Sequence, residues 1–104
     1  MVENIEDISV TYEEGGETLV EELDKVVLTR GSWTTILFKY REFDKKTEGM
    51  GPIKYTIRRY QKRNGVYRQQ SKFNISSVKQ GKQLVDALSA WVADDAATGD
   101  GEDE

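Results

Sequence analysis

The chain has 104 residues and neither cysteine nor histidine, which excludes disulfides, thiolate metal sites, thiol nucleophiles and the commonest general base together. Its net charge of −4 conceals a sorting: residues 1–24 carry nine acids and no base, residues 25–82 hold all fifteen Lys and Arg against Glu42, Asp44 and Glu48, and residues 83–104 carry seven acids and no base. A basic block between two acidic ones points to an anionic partner that the acidic pI hides.

The length suits one domain. There is no apolar run of about 18 residues and no basic-then-apolar leader. A soluble protein with no membrane association is expected, cytoplasmic (nucleoid-associated if bacterial), with a nuclear location as the secondary alternative.

Residues 1–24 open the chain. Ile8, Val10 and Tyr12 alternate with polar residues, but Glu13-Glu14-Gly15-Gly16 breaks the pattern and Leu19, Val20 and Leu23 make only a narrow apolar face. A loosely ordered acidic segment is expected here.

Residues 25–43 read as a hairpin: Val26, Val27 and Leu28, a turn at Gly31-Ser32, then a long strand from Trp33. Alternation puts Ile36, Phe38 and Tyr40 on a core face and Trp33, Leu37, Lys39, Arg41 and Phe43 on the other. Aromatics beside bases are what a stacking surface needs. Residues 44–52 form a polar loop that offers Lys45 and Lys46 as a basic arm.

A second hairpin spans residues 53–76, turning at Asn64-Gly65, where both residues tolerate the positive φ of a type I′ turn. Ile53, Tyr55 and Ile57 make one face of its first strand; Lys54, Thr56, Arg58, Tyr60 and Lys62 make the other. On its second strand Tyr67, Phe73 and Ile75 share a parity, opposed by Arg68, Gln70, Lys72 and Asn74. Arg59 falls on the supporting parity, where a cation has no obvious role.

Ser77 and Gln80 fit a helix-capping box, and Leu84, Val85, Leu88, Trp91 and Val92 then form one helical stripe that should cover the inner face of the sheet. Gly81 weakens the first turn by about 1 kcal/mol. Residues 94–104 lack core formers, and a disordered acidic tail is expected, able to occupy the basic sheet when no nucleic acid is bound.

The expected architecture is α+β: a curved four-stranded antiparallel sheet and one C-terminal amphipathic helix, ββββα, over residues 25–93. A core this small is marginal alone, so dimerisation would help. The working face is expected to bind single-stranded nucleic acid through Trp33, Lys39, Arg41, Lys45, Lys46, Lys54, Arg58, Tyr60, Lys62, Arg68 and Lys72. Cations would neutralise phosphates while aromatic rings stack on bases. RNA remains an alternative to DNA. So does a protein-interaction module that recruits partners through its acidic flanks. No cofactor is expected and no catalysis, since Glu42, Asp44 and Glu48 do not form a convincing Mg²⁺ site.

The run Pro52-Ile53-Lys54-Tyr55-Thr56-Ile57-Arg58-Arg59-Tyr60, then a hairpin, then Lys72-Phe73-Asn74-Ile75-Ser76 and a helix, resembles the C-terminal core of the transcriptional coactivator positive cofactor four and its small bacterial relatives; the Whirly proteins share the topology. The resemblance implies a homodimer through the helices. It also implies single-stranded DNA bound along the sheets with little sequence preference, a role as transcription or replication cofactor, and Lys54, Arg58, Tyr60 and Lys72 as contacts. The chain departs from that pattern at Arg59, where an acid often stands, at Gln61, and in having no Gly in the last strand.

Overall fold

The longest strand of the protein starts inside the stretch whose acid count suggests disorder. In the computed structural model, which describes residues 2–97, a single 3-10 turn at Ile5–Asp7 precedes strands β1 (Tyr12–Glu14), β2 (Glu17–Thr29), β3 (Trp33–Asp44), β4 (Gly49–Met50), β5 (Lys54–Arg63) and β6 (Val66–Ile75), and helix α1 (Val78–Ala97) follows. Every pairing is antiparallel, in the order β1-β2-β3-β5-β6 with β4 on the end of β3. The α+β class and the closing helix match expectation, but β1 and β4 raise the expected four strands to six among the described residues.

Residues 1–24 are not loosely ordered where they are described, and the reason is non-local. β2 pairs with β3 from Val20 opposite Glu42 to Thr29 opposite Thr35. This register sets Glu21 against Arg41, with Nε 2.6 Å from Oε1, and Asp24 against Lys39. Opposite charges across a strand pair stabilise it by roughly 0.2–1 kcal/mol each. The acids of the first block are thus strand partners of the basic block. Gly15-Gly16, which reads as a break, is the tight turn joining β1 to β2, both residues at positive φ.

The pleat gives the sheet two faces. One carries Val27, Thr34, Ile36, Phe38, Tyr40, Thr56, Tyr60 and Tyr67 and is covered by residues 2–10, not by the helix. Ile5, Ile8 and Val10 are buried against it, and Ile36 and Phe38 are fully enclosed. This N-terminal strap is pinned at both ends and in the middle. Tyr67 N–H donates to the Val2 carbonyl at 2.7 Å, and Val10 N–H donates to Glu22 Oε1 at 3.3 Å. The Lys25 ammonium donates to the carbonyls of Ile5, Glu6 and Ile8 at 3.3, 3.0 and 2.6 Å. The two buried threonine hydroxyls are satisfied, Thr34 donating to Gly31 O at 3.0 Å and Thr56 to Asn74 Oδ1 at 2.8 Å.

A β-bulge changes the parity of β6. The register passes from Arg59 opposite Ser71 to Tyr60 opposite Gln69, leaving Gln70 extra. Strict alternation puts Tyr67 with Phe73 and Ile75, and Arg68 with Lys72. The bulge sends Tyr67 to the strap face and Arg68 to the opposite one. The Asn64-Gly65 turn has positive φ at both residues, as its sequence requires.

The second face receives α1, but only at one end. Ser77 caps the helix by accepting from Gln80 N–H at 3.1 Å, and Gln80 reaches back to Ser76 N–H at 2.8 Å. Gly81 lies against Tyr55 and Ile75 so closely that a Cβ would come within 3.1 Å of the Tyr55 ring, which accounts for a poor helix former in the first turn. Beyond this contact the stripe is uncovered: Val85 is 60% and Trp91 67% exposed. An apolar cleft of about 670 Å³ opens between Leu28, Leu37, Tyr55 and Ile57 on the sheet and Val78, Leu84, Val85 and Leu88 on the helix. The radius of gyration, 16.2 Å, exceeds the roughly 13 Å of a compact chain near this length. The expected acidic tail divides: residues 94–97 are the last turn of α1, and 98–104 lie outside the described residues.

Candidate nucleic-acid interface

On the strap face the cover reaches β5 and β6 only at Tyr60 and Tyr67, towards the Asn64-Gly65 turn, and the half-buried to exposed strip beside them is basic. Lys54 stands opposite Tyr40, Arg58 opposite Ile36, and Arg58 is itself directly opposite Lys72. Two cations at opposed positions of an antiparallel pair destabilise it, and neither forms an ion pair among the described residues. Arg58 meets neutral partners, Nη1 donating to Gln69 Oε1 at 3.1 Å and the guanidinium also bonding the Tyr60 side chain, while its buried Nε has none. Lys54 bonds Glu42 at 2.9 Å, and this hydrogen bond raises the Lys54 pKa.

Lys62 lies further along the same face, its ammonium 5.4 Å from the centre of the Tyr67 ring. Lys54, Arg58 and Lys62 recur every four residues, about 13 Å per step at strand rise.

Tyr60 shares this face but is not a stacking ring. It is 6% exposed, packed in the core beneath the strap. Burial raises its pKa, partly opposed by the adjacent Arg58 guanidinium; Tyr40 is raised by burial and by Glu42.

Of the other expected contacts, only Lys45 comes near this strip, lining a pocket with Lys54. Trp33, Lys39, Arg41 and Arg68 project from the helix face, and Lys39 and Arg41 are matched there by Asp24 and Glu21. Lys45 and Lys46 sit in the turn between β3 and β4, where Lys46 N–H donates to Asp44 Oδ1 at 2.8 Å. The sheet therefore splits one expected surface into a strap-face set (Lys54, Arg58, Lys62, Lys72, with Tyr60 beneath), a helix-face set and the β3–β4 turn, where Lys45 lines a pocket together with Glu42 and Lys54.

Sequence reasoning missed Gln69, which orients Arg58, and the stacking of Arg59 on Trp33, its guanidinium carbon 4.7 Å from the ring centre. Only the β3–β5 register, invisible in either strand alone, brings that last pair together.

No group of three or more acids capable of holding a metal ion occurs among the described residues, and none of their helices is long and apolar enough to cross a membrane. Comparison with family models, with curated proteins and with solved structures returned no match to this chain. The resemblance noted above thus rests on its two short runs.

Proposed function

We propose that this protein binds single-stranded nucleic acid, DNA in the first instance, along the strip of half-buried Lys54 and Arg58 and exposed Lys72, as an accessory factor in transcription or replication. One observation carries the reading: Arg58 and Lys72 face each other across β5 and β6 without an acid between them. Such a juxtaposition costs stability in the free protein and is relieved when a phosphate bridges the pair. A sheet strip suits a splayed single strand, and no helix rich in Lys and Arg occurs among the described residues to enter a major groove.

In the same proposal the functional unit is a homodimer. The uncovered stripe of Val85, Leu88, Trp91 and Val92 and the adjoining cleft form a self-complementary apolar surface for a second copy. Light scattering of Leu88→Glu against the parent chain tests this: a dimer that becomes a monomer supports it, and a monomeric parent refutes it.

The binding itself is tested by anisotropy of a labelled oligothymidylate titrated between about 50 and 200 mM salt. Three neutralised phosphates per protomer give a slope of log affinity on log salt near −2. A slope of zero, or no binding at the lower salt, rules the reading out.

A further inference from the structure

Arg59 has no place on the strap face, and the helix face explains it. Trp33, the first residue of β3, stands opposite Gln61, and Arg59 lies two positions along on the same side of β5. The Arg59 guanidinium stacks 4.7 Å from the indole centre, and Trp33 still exposes 41% of its surface. The Gln70 bulge brings Arg68 to this face opposite Gln61, and Arg63 Nε donates to Gln61 Oε1 at 3.1 Å. Arg59 thus stacks on the ring, while Arg63 and Arg68 flank Gln61, the residue that stands opposite Trp33.

The charge balance separates this end of the face from the other. Lys39 and Arg41 face Asp24 and Glu21, whereas the register opposite Trp33, Thr35, Arg59 and Arg68 supplies Gln61, Thr29, Ser71 and no acid. Neither cover reaches this patch. The strap lies on the opposite face, and α1 meets the sheet at Tyr55 and Ile75. A cation–π pair that served only to hold β3 to β5 would stabilise by about 0.5–1 kcal/mol at an exposed site. It would not call for two further unneutralised arginines.

We propose that Trp33, Arg59, Arg63 and Arg68 form a second binding site, on the face opposite Lys54, Arg58 and Lys72, that takes an unstacked base and a neighbouring phosphate of single-stranded nucleic acid. The indole and the guanidinium plane of Arg59 are stacking surfaces that tolerate any base, and Arg68 and Arg63 are positioned for the phosphate. The site rests on the nucleic-acid reading above and adds a base contact that the strap face, with Tyr60 buried, does not provide.

The chain has two tryptophans, so Trp91→Phe leaves Trp33 as the sole indole reporter. Unlabelled oligothymidylate should quench its emission saturably, at concentrations matching the anisotropy isotherm. In the same background Arg59→Gln/Arg68→Gln, which keeps the indole, should weaken binding about fivefold or more, the lower range for a lost stacked base. Binding by anisotropy without any change in Trp33 emission overturns the second site and leaves the strap-face reading intact. Absence of oligonucleotide binding altogether defeats both. Equal quenching by a duplex of the same length overturns the single-strand assignment. An indole that acrylamide cannot reach in the free protein shows the patch covered by a second copy, and that also overturns the site.

Discussion

The two halves of the sheet hold similar numbers of charged residues and use them in opposite ways. Where β2 meets β3, charges are matched across the strands, Glu21 with Arg41 and Asp24 with Lys39, and the strap seals the face behind them. Where β5 meets β6, Arg58 is set against Lys72, Arg58 Nε is buried without a partner, and Lys72 is exposed. One half has its electrostatics satisfied internally. The other is left for a ligand, so charge at equal density stabilises one region and specifies binding in its neighbour.

The sharpest test of the sealed half is Phe38→Ala. Phe38 is fully enclosed, and its removal should cost about 3–5 kcal/mol in chemical denaturation. Next comes Lys25→Met, which keeps the side-chain length but strands three strap carbonyls. A loss of about 2 kcal/mol is expected, with faster amide exchange at residues 5–10 measured by NMR. A strap that stays protected would show that burial of Ile5 and Ile8 holds it without Lys25.

The contrast itself is tested by two paired substitutions. Arg58→Gln/Lys72→Gln should leave thermal stability unchanged or slightly higher, because a like-charge pair is removed. It should weaken oligonucleotide binding tenfold or more and flatten the salt slope by about 1.4, two phosphates' worth. Arg41→Gln should do the reverse, lowering stability by less than about 1 kcal/mol with unchanged affinity. If the two substitutions behave alike, the two halves do not differ as described.

The smallest effect is alkaline. Tyr40 and Tyr60 are raised above their ordinary 10.0 by burial, and Lys54 above 10.5 by its bond to Glu42. A group whose folded pKa is raised contributes stability that is intact below its unfolded value and is lost as pH rises through the folded one. Stability should therefore hold steady from neutrality to about pH 9 and fall above 10. Tyr60 ionisation, followed by ultraviolet absorbance, should coincide with unfolding.

Much of this structure was legible in local pattern. Alternation marks β3 and β5, Asn64-Gly65 makes its turn, Ser77 caps α1, and Ile36, Phe38 and Tyr40 share the buried face. These features depend on neighbours a few residues apart. Lys54, Arg58 and Lys72 also emerge together from parity, because no irregularity intervenes between them and the register that joins β5 to β6.

Other features depended on partners far along the chain, and only the tertiary structure decided them. β2 is a strand because the bases of β3 lie opposite its acids. Arg68 leaves the Lys72 face because one extra residue, Gln70, shifts the parity of β6. Tyr60 is core and not a stacking ring because residues 2–10 cross above it, a cover that no periodicity within β5 records. Residue order by itself determined which side chains of each strand travel together. How strands register and which segment covers each face came from long-range packing, since a two-residue period states that two faces exist and is silent on what lies against them.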